Sequence, residues 1–350
     1  MHTYIKNFSK NDSNLIKGIA ILVMVYYHAI ALSGKSNFWI LGAAMSRLGN
    51  ICVPTFAFIS TYGISKYLES NNLSCYQLGK MILFRIKKIY KSYLPAFFFG
   101  FVLTALLDFM CNLIFSTDYA TIPNAYGNGL QGFWHFIVNM LGLSHLFYGS
   151  FNYTLNQTWW YIALAVLIVI ITPILYQFTR NSKKRFLFCV ILWGILAIGT
   201  RNTYVQYIFI ILIAIFVSRS ENFANISRKA ILMHCAILSL WIGYRGLFND
   251  TWSVFWNCAA AYTVIVLAKF TLECFNMPNV ERFLLFMGQH SANIFYLHSF
   301  VYYYWIPSAS LINKLNIGIL IYAATLAITI ALSYTLDFLK GVLSKTLYRF

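Results

Sequence analysis

The sequence predicts an all-α protein that crosses a membrane about ten times. Three observations lead to this fold class. Hydrophobic residues make up 60% of the 350-residue chain and charged residues only 10%, which is not the usage of a soluble domain. Apolar runs long enough to cross about 30 Å of hydrocarbon as helices recur along the chain. Basic residues concentrate in alternate connecting segments, as the positive-inside rule expects of a multi-pass protein.

The apolar runs define ten predicted spans in chain order. They cover residues 14–34, 39–65, 92–115, 157–178, 186–200, 203–218, 230–247, 252–272, 283–306 and 315–338. The first run follows a polar stretch and has no small-residue cleavage pattern, so we expect it to remain as an uncleaved first span. With the amino terminus inside, an even number of spans places both termini in the cytoplasm.

A further apolar patch, residues 133–148, is predicted not to cross the membrane. It is short for a span and contains His135, Asn139 and His145. As a span it would reverse the orientation of every later segment and put the basic run RNSKKR outside. We therefore expect a re-entrant or surface-lying helix within a large outer loop, residues 116–156.

This topology also explains the formal net charge of +17. Of the 26 basic residues, only Lys35, Arg47, Arg201, Arg245 and Lys314 fall in outer segments. Membrane lipids thus account for the basic excess, and no nucleic-acid partner is expected. The seven cysteines are scattered and show no metal-ligand spacing, so we expect free thiols and no metal. No internal repeat or appended soluble domain is visible, and residues 1–350 are predicted to form a single membrane domain.

Four histidines fall within predicted spans, where an ionisable residue is costly and needs a reason. His234 and His290 lie close to inner ends, where an interfacial histidine is ordinary, which leaves His28 and His298. His28 follows Lys17 by eleven residues, which on a helix is a rise of roughly 16 Å along one face. His298 lies near the middle of the ninth span. A histidine base needs a partner that fixes its tautomer, and Asp108, near the outer end of the third span, is the candidate. The alternatives are packing histidines bonded to backbone carbonyls and an aspartate that faces water.

The densest basic segment is KMILFRIKKIYKSYLP, on the predicted inner side. Arg85 and Lys88 are three residues apart on one helical face, and Lys17 is available from the first span. Such a cluster suits a phosphorylated cytosolic ligand, because arginine grips phosphate oxygens bidentately. Simple anchoring at the membrane surface is the alternative interpretation. The outer loop, by contrast, contains no Lys or Arg and is rich in Asn, Gln, Gly, Tyr and Trp, which suits either a sugar ring or an interfacial aromatic belt.

Several segments together resemble acyltransferase family 3, membrane proteins that include O-antigen, capsule and nodulation-factor O-acetylases. NLIKGIAILVMVYYHAI resembles the first-span signature of a basic residue, ten residues and a histidine, here Lys17 and His28. VPTFAFISTYGISKYL resembles the second span, LFRIKKIYKSYLP the Arg-x-x-Arg loop, TWWYIALAVLIVIITPIL the Trp-Tyr span, and LLFMGQHSANIFYLHSFVY the penultimate span. The chain departs from the pattern at Thr61-Tyr62-Gly63, at Lys88 in place of the second Arg, and in a fourth span without the Glu of some subfamilies.

The resemblance implies an O-acyltransferase of the bacterial inner membrane. Acyl-CoA, in the simplest case acetyl-CoA, would be the cytosolic donor, and a hydroxyl of a cell-surface glycan or lipid-linked sugar the acceptor. Lys17, Arg85 and Lys88 would hold the donor phosphates. His28 would act as general base or take the acyl group itself, with Asp108 and His298 as further catalytic residues. The residues predicted to bind the acceptor are Trp159, Trp160, Tyr161, His135 and Arg47.

Two other protein classes fit the composition. A transporter or flippase for a lipid-linked sugar would also need many spans, but such proteins often show inverted repeats and matching broken helices, and neither is visible. A polysaccharide polymerase or ligase would need basic residues in its outer loop to hold a diphosphate-lipid. The outer loop has none.

Overall fold

The computed structural model describes residues 8–31, 48–149, 152–200, 202–219, 228–247, 253–275, 277–315 and 317–347. Every regular element within these ranges is helical, as predicted. The α-helices, numbered in chain order, are α1 (Lys10–Tyr26), α2 (Cys52–Ser70), α3 (Cys75–Phe115), α4 (Thr121–Tyr126), α5 (Gly129–Met140), α6 (Ser144–Tyr148), α7 (Tyr161–Thr179), α8 (Lys183–Thr200), α9 (Thr203–Arg219), α10 (Arg228–Leu247), α11 (Ser253–Cys274), α12 (Pro278–Ser299), α13 (Ile306–Asn313) and α14 (Gly318–Leu347).

Several of these helices are long and apolar enough to cross a membrane, so the chain is that of an integral multi-pass protein. The described residues contain five such segments, Lys10–Ile30, Cys75–Phe115, Gln157–Thr179, Val254–Cys274 and Gly318–Val342, and shorter apolar helices at Thr203–Arg219 and Lys229–Tyr244. The total of ten spans and the cytoplasmic position of both termini remain predictions. The second predicted span begins outside the described residues, and its helix α2 begins at Cys52.

The first span is built from a capped α-helix that ends in a π-helical turn. Ser9 caps α1: its hydroxyl accepts from the Asp12 amide at 3.1 Å, while the Asp12 carboxylate accepts from the Ser9 amide at 2.6 Å. This reciprocal capping box satisfies amide groups that a helix start leaves open. From Tyr27 to Ala31 the helix widens into a π turn, and His28 lies within it.

Helix α3 is much longer than the predicted third span. It runs without interruption for 41 residues, from Cys75 to Phe115, and contains Pro95. At 1.5 Å per residue its length is about 60 Å, roughly twice the thickness of the hydrocarbon core. The basic segment that the sequence assigned to an inner loop is therefore a helical extension of this span.

The apolar patch at 133–148 forms two short helices rather than one. Helix α5 has 12 residues and α6 has 5, and they meet at Gly142, whose φ of 70° favours glycine. Twelve helical residues extend only about 18 Å, which is too short to cross the hydrocarbon core. This agrees with the prediction that the patch is not a span.

The chain divides into two compact units. The first comprises Met1–Tyr27, Ser36–Arg85 and Val166–Gln289. Helix α9 is its most enclosed element: residues around its whole circumference are buried, from Tyr204 to Ser218, and it packs against α2, α8 and α11. A helix that is apolar on all sides needs neighbours on all sides, which explains its central position.

The second unit comprises His28–Lys35, Ile86–Ala165 and His290–Phe350. Its core is aromatic: the Trp159 ring lies 5.5 Å from Tyr93, 5.1 Å from Phe97 and 5.6 Å from Phe300, centre to centre. Gly100 allows this packing, because a Cβ there would lie 2.8 Å from the Phe300 ring. His28 and His298 both belong to this unit.

Candidate active site

The structure pairs His28 with His298. The Nδ1 atom of His28 lies 2.7 Å from Nε2 of His298, across 270 residues of sequence. The two rings are stacked, with centres 4.9 Å apart and an angle of 12° between their planes. His298 is fully buried, whereas His28 is partly exposed. One imidazole is thus held inside the protein and the other is within reach of a ligand.

Each histidine is associated with a π-helical turn. His28 lies in the turn Tyr27–Ala31, and His298 immediately precedes the turn Phe300–Tyr304. Such turns are rare and recur at functional sites, because the extra residue changes the direction in which side chains project. Tyr302 of the second turn stacks on both rings, with centres 6.0 Å from His28 and 6.1 Å from His298. The local helix geometry therefore shapes this group of three rings.

The hydrogen bonds of His298 determine the tautomers of the neutral pair. Its Nδ1 atom lies 3.0 Å from the carbonyl oxygens of Ile294 and Phe295. Carbonyl oxygens only accept, so Nδ1 must carry the proton and Nε2 must be the acceptor. His28 then donates its Nδ1 proton to His298. The lone pair of the His28 ring consequently lies on Nε2, the atom that would act as base or nucleophile.

A buried amide holds the helix turn around His298. The Asn156 carbonyl oxygen accepts from the Ser299 hydroxyl at 2.8 Å, and its amide nitrogen donates to the Tyr296 carbonyl at 3.1 Å. The same oxygen accepts from the amide and hydroxyl of Thr158, at 3.0 and 2.8 Å. Asn156 is fully buried. It therefore fastens the chain before α7 to Tyr296 and Ser299, which lie on either side of His298 in the sequence, and it positions that ring without contacting it.

Trp159, predicted to bind the acceptor, lies in the core. Only 1% of its surface is exposed, and its indole N–H donates to the Tyr296 carbonyl at 3.1 Å. A ring enclosed by protein on both faces offers no surface to a sugar. Its position is at odds with acceptor binding and assigns it to the support of the His298 turn.

The neighbouring predicted residues remain more accessible. Trp160 is partly exposed and its ring centre lies 5.9 Å from His145. Both line a cavity of about 10 Å³, which is room for about one water molecule and not for a sugar ring. Partial burial lowers the pKa of His145 from its ordinary value. Tyr161 is also partly exposed, and its ring packs 5.2 Å from Phe295.

His135 is a packed residue in α5. It is buried, its Nδ1 atom lies 2.7 Å from the Tyr126 carbonyl, and its ring stacks on Tyr153 with centres 3.8 Å apart. These contacts match the alternative of a packing histidine bonded to a carbonyl. Arg47, the remaining predicted acceptor residue, lies outside the described residues.

Asp108 is engaged away from the histidine pair. Its two carboxylate oxygens accept from the amide and the hydroxyl of Thr121, at 2.8 and 2.9 Å. Thr121 is the first residue of α4, so the carboxylate satisfies open amide groups where that helix begins. The structure thus brings His298, and not Asp108, to the Nδ1 atom of His28. The predicted acidic partner is replaced by a second imidazole.

The three residues predicted to hold donor phosphates differ in their environments. Lys17 is half-buried in α1, and Arg85 is half-buried in α3 with its guanidinium 5.7 Å from the centre of the Tyr67 ring. Lys88 is exposed on the helical extension of α3. Their role in donor binding remains a prediction.

The site also contains residues that sequence reasoning did not select. Tyr302 and Asn156 contribute a stacked ring and a buried hydrogen-bonding amide. Tyr302 lies in a run of three tyrosines, and such a run inside a predicted span is one signal that could have drawn attention to it. Asn156 lay in a polar outer segment and carried no signal that distinguishes it from its neighbours.

Comparison with known families agrees with this arrangement. The family described as an acyltransferase domain, acyltransferase family 3, matches residues 10–338, which include the histidine pair, its supporting residues and nearly the whole chain. No curated protein and no solved structure matches the chain. The match covers far more than half of the sequence, and the chain therefore belongs to acyltransferase family 3 and is a membrane acyltransferase.

Proposed function

We propose that this acyltransferase moves an acetyl or similar acyl group from cytosolic acyl-CoA to a hydroxyl of a cell-surface or lipid-linked glycan, in the bacterial plasma membrane. The observation that carries the proposal is the 2.7 Å contact between His28 and His298. It supports a histidine whose reactive nitrogen is defined by a buried partner, as acyl transfer to an alcohol requires.

In the direct route, His28 acts as the general base. Its Nε2 takes the proton of the acceptor hydroxyl while the hydroxyl oxygen attacks the thioester carbonyl. The carbon–sulfur bond then breaks, the proton passes from His28 to the leaving thiolate, and the products are an ester and free CoA. During this step positive charge develops on the His28 ring, and its Nδ1–H bond to His298 strengthens.

A second route uses the same nitrogen as nucleophile. Nε2 of His28 attacks the thioester carbonyl, the carbon–sulfur bond breaks, and CoA leaves as the thiolate while the ring becomes an acyl-imidazolium. The acceptor hydroxyl then attacks the acyl carbon, the carbon–nitrogen bond breaks to return neutral His28, and the hydroxyl proton neutralises the CoA thiolate by way of water. In both routes His298 has the part that a carboxylate has in a catalytic triad: it orients the imidazole and accepts its second N–H. The carbonyls of Ile294 and Phe295 in turn stabilise a proton on His298.

The division of substrates follows the charge distribution of the sequence. Basic residues of the predicted inner side, Lys17, Arg85 and Lys88, would bind the phosphates of the donor. The predicted outer loop, without Lys or Arg, would meet an uncharged glycan, and Trp160 and Tyr161 keep exposed surface for that contact. Capsule or exopolysaccharide acetylation is the cellular process that this pair of substrates suggests.

Replacement of His28 tests the proposal. The variant His28→Ala removes the nitrogen used in both routes, so transfer from acetyl-CoA should fall to background while the protein stays in the membrane. Release of the CoA thiol and labelling of membrane glycan from radiolabelled acetyl-CoA measure the two halves of the reaction.

A matched control is His234→Ala. His234 is also a buried histidine in an apolar helix, but its ring lies 3.4 Å from the Thr263 hydroxyl and it belongs to the first unit. This variant should retain transfer. Normal glycan acetylation in His28→Ala would refute the catalytic assignment, and a wild-type protein that transfers only from another donor would refute acyl-CoA.

A further inference from the structure

The first unit contains a basic cavity that the proposed reaction does not use. It has a volume of about 690 Å³ and lies at the end of α7, the start of α8 and the end of α9. Three cations line it, Arg180, Lys183 and Arg219, together with Thr179, Asn181, Ser182, Phe186 and Phe216. The described residues that line the cavity include no carboxylate, so these residues give it a positive character.

Hydrogen bonds fix Arg219 in place, and one of its N–H groups has no acceptor among the described residues. Its guanidinium donates to the carbonyls of Tyr176 and Thr179, at 2.7 and 3.0 Å, and lies 4.6 Å from the centre of the Tyr176 ring. These bonds hold its fork rigid at the carboxyl end of α7. Its Nε–H is buried and has no hydrogen-bond partner within the described part of the chain. A buried donor without an acceptor is costly. Arg219 contributes to the cavity the positive charge of a guanidinium that its carbonyl partners hold in one position.

The other two cations are exposed and are not neutralised. Arg180 donates to the side chain of Asn72 at 2.7 Å, which leaves its charge uncompensated. Within the described residues neither Arg180 nor Lys183 makes an ion pair. Lys183 is also the first residue of the 18-residue helix α8, whose open amide groups favour a negative charge at the same place.

We propose that this cavity binds an organic phosphate. Arginine forks, a lysine and helix amides are the donors that phosphate oxygens prefer. A free phosphate ion would fill only a small part of 690 Å³, so the bound molecule is larger than the phosphate it carries. Phe186 and Phe216 form an apolar wall, and Phe216 is 59% exposed. Two sources share this chemistry: the headgroup of an anionic phospholipid and a soluble phosphate ester.

The same basic run provides a matched control. Lys184 and Arg185 adjoin Lys183 and are exposed, but they do not line the cavity. If the run RNSKKR served only to anchor the membrane surface, removal of either pair of charges would have the same effect. A site in the cavity, by contrast, depends on Arg180 and Lys183 and not on Lys184 and Arg185.

Native mass spectrometry of the full-length protein in detergent tests the proposal with two probes that lack the nucleotide of CoA, dioleoyl phosphatidylglycerol and glycerol 3-phosphate. Wild type and the double variant Lys184→Gln/Arg185→Gln should retain at least one probe with equal affinity. The double variant Arg180→Gln/Lys183→Gln should bind it about tenfold more weakly or worse, as expected when charge-assisted hydrogen bonds are lost. The probe that wild type retains shows whether the cavity binds a phospholipid headgroup or a soluble phosphate ester.

Three results would overturn the proposal: retention of neither probe by wild type, equal losses in the two double variants, or full binding by Arg180→Gln/Lys183→Gln. The single variants Arg180→Gln and Lys183→Gln, each expected to weaken binding, replace the double variant if it does not fold. Since the readout is binding and none of these residues contacts His28 or His298, its outcome is independent of the acyl-transfer assay.

Discussion

His298 carries the most specific chemical claim about a single residue. It is fully buried, its Nδ1 faces two carbonyl oxygens, and its Nε2 faces His28. A neutral imidazole is cheaper to bury in a membrane protein than a carboxylate, because no formal charge has to be removed from water. A second imidazole can therefore orient a histidine inside a span, as the 2.7 Å contact between His298 and His28 illustrates.

Replacement of His298 should therefore affect turnover more than substrate binding. In His298→Ala the Nδ1–H of His28 loses its acceptor, and we expect kcat to fall by about 10²-fold or more with little change in KM. In His298→Gln the amide oxygen can still accept that proton, so part of the activity should return. Steady-state kinetics with acetyl-CoA measure both variants. Unchanged kcat in His298→Ala would remove His298 from the mechanism.

Among the helices, α1 and α12 approach each other closely at two glycines. Helix α1 leads into the π turn that contains His28, and α12 contains His298. A Cβ at Gly18 of α1 would collide with the backbone of Leu284, and a Cβ at Gly288 of α12 would collide with the carbonyl of Asn14. Small residues allow helix backbones in membranes to pack in direct contact. These reciprocal contacts set the spacing of α1 and α12 within the first unit.

Gly288→Ala should separate α1 from α12. We expect a loss of stability of about 1–3 kcal/mol from the overpacked contact and a larger loss of acyl transfer. The matched control is Gly63→Ala in α2, where a Cβ meets no atom within 4 Å and alanine favours the helix. Thermal unfolding in detergent and transfer activity measure both variants. Equal behaviour of the two would contradict the role of the close contact.

A buried ion pair ties α1 to α11. The Lys269 side chain is 1% exposed, and its Nζ lies 3.0 Å from Asp12 and 2.9 Å from Glu273. Asp12 also belongs to the capping box of α1, so one carboxylate both starts this helix and fixes it to its neighbour. The Lys269 ammonium is removed from water and depends on these carboxylates, although the Asp12 and Glu273 side chains are themselves 20% and 27% exposed.

Lys269→Met should destabilise the protein by about 3–5 kcal/mol, since it leaves two carboxylates without their cation. The control is Lys66→Met, which breaks an ion pair of 2.7 Å to Glu69 in which both side chains are 43% exposed. That exposed pair should contribute only about 0–1 kcal/mol. Denaturation of both variants in the same detergent measures the contrast. Equal losses of stability in the two variants would show that the Lys269 ion pair stabilises the protein no more than the exposed pair does.

For the molecule as a whole, the orientation in the membrane is the principal prediction. The positive-inside count places the connection between α2 and α3, and with it Cys75 at the start of α3, in the cytoplasm. Cys75 and Cys274 are exposed, and both fall in segments predicted to be inside. The outer loop contains Asn124, exposed at α4, on the opposite side.

Thiol labelling can test this orientation. A membrane-impermeant maleimide should label the protein in inverted vesicles but not in intact cells, and Cys75→Ser/Cys274→Ser should abolish most of the label. The variant Asn124→Cys should add a site that is labelled in intact cells. Labelling of Cys75 from outside would reverse the topology and with it the assignment of donor and acceptor sides.

The helical, multi-pass nature of the protein was predictable because it depends on local composition. A run of apolar residues must satisfy its own backbone hydrogen bonds in the membrane, so it forms a helix whatever surrounds it. The same reasoning explains why residues 133–148 do not form a span: the patch is too short and interrupted at Gly142. The continuous helix α3 was not predicted, because basic residues support a helix as readily as they support a surface loop.

The candidate site was predictable only in part. His28 and His298 could each be selected as costly polar residues within spans, but 270 residues separate them and no local pattern records their contact. Trp159 and Trp160 are adjacent residues of the same type, yet Trp159 is enclosed in the core and Trp160 is partly exposed. Asp108 was predicted as a catalytic residue and His135 as an acceptor-binding residue, because of their residue types. In the structure the Asp108 side chain is hydrogen-bonded to Thr121, and the His135 ring is hydrogen-bonded to the Tyr126 carbonyl.

Local sequence therefore accounts for the helices, for the predicted charge asymmetry across the membrane and for two histidines placed where polar groups are expensive. The pairing of those histidines, the tautomer that puts a lone pair on Nε2 of His28, and the buried Asn156 that steadies the His298 turn depend on tertiary packing. The physical reason is that backbone hydrogen bonding and hydrophobicity act on neighbours along the chain. The 2.7 Å contact between His28 and His298, by contrast, joins segments near opposite ends of the sequence.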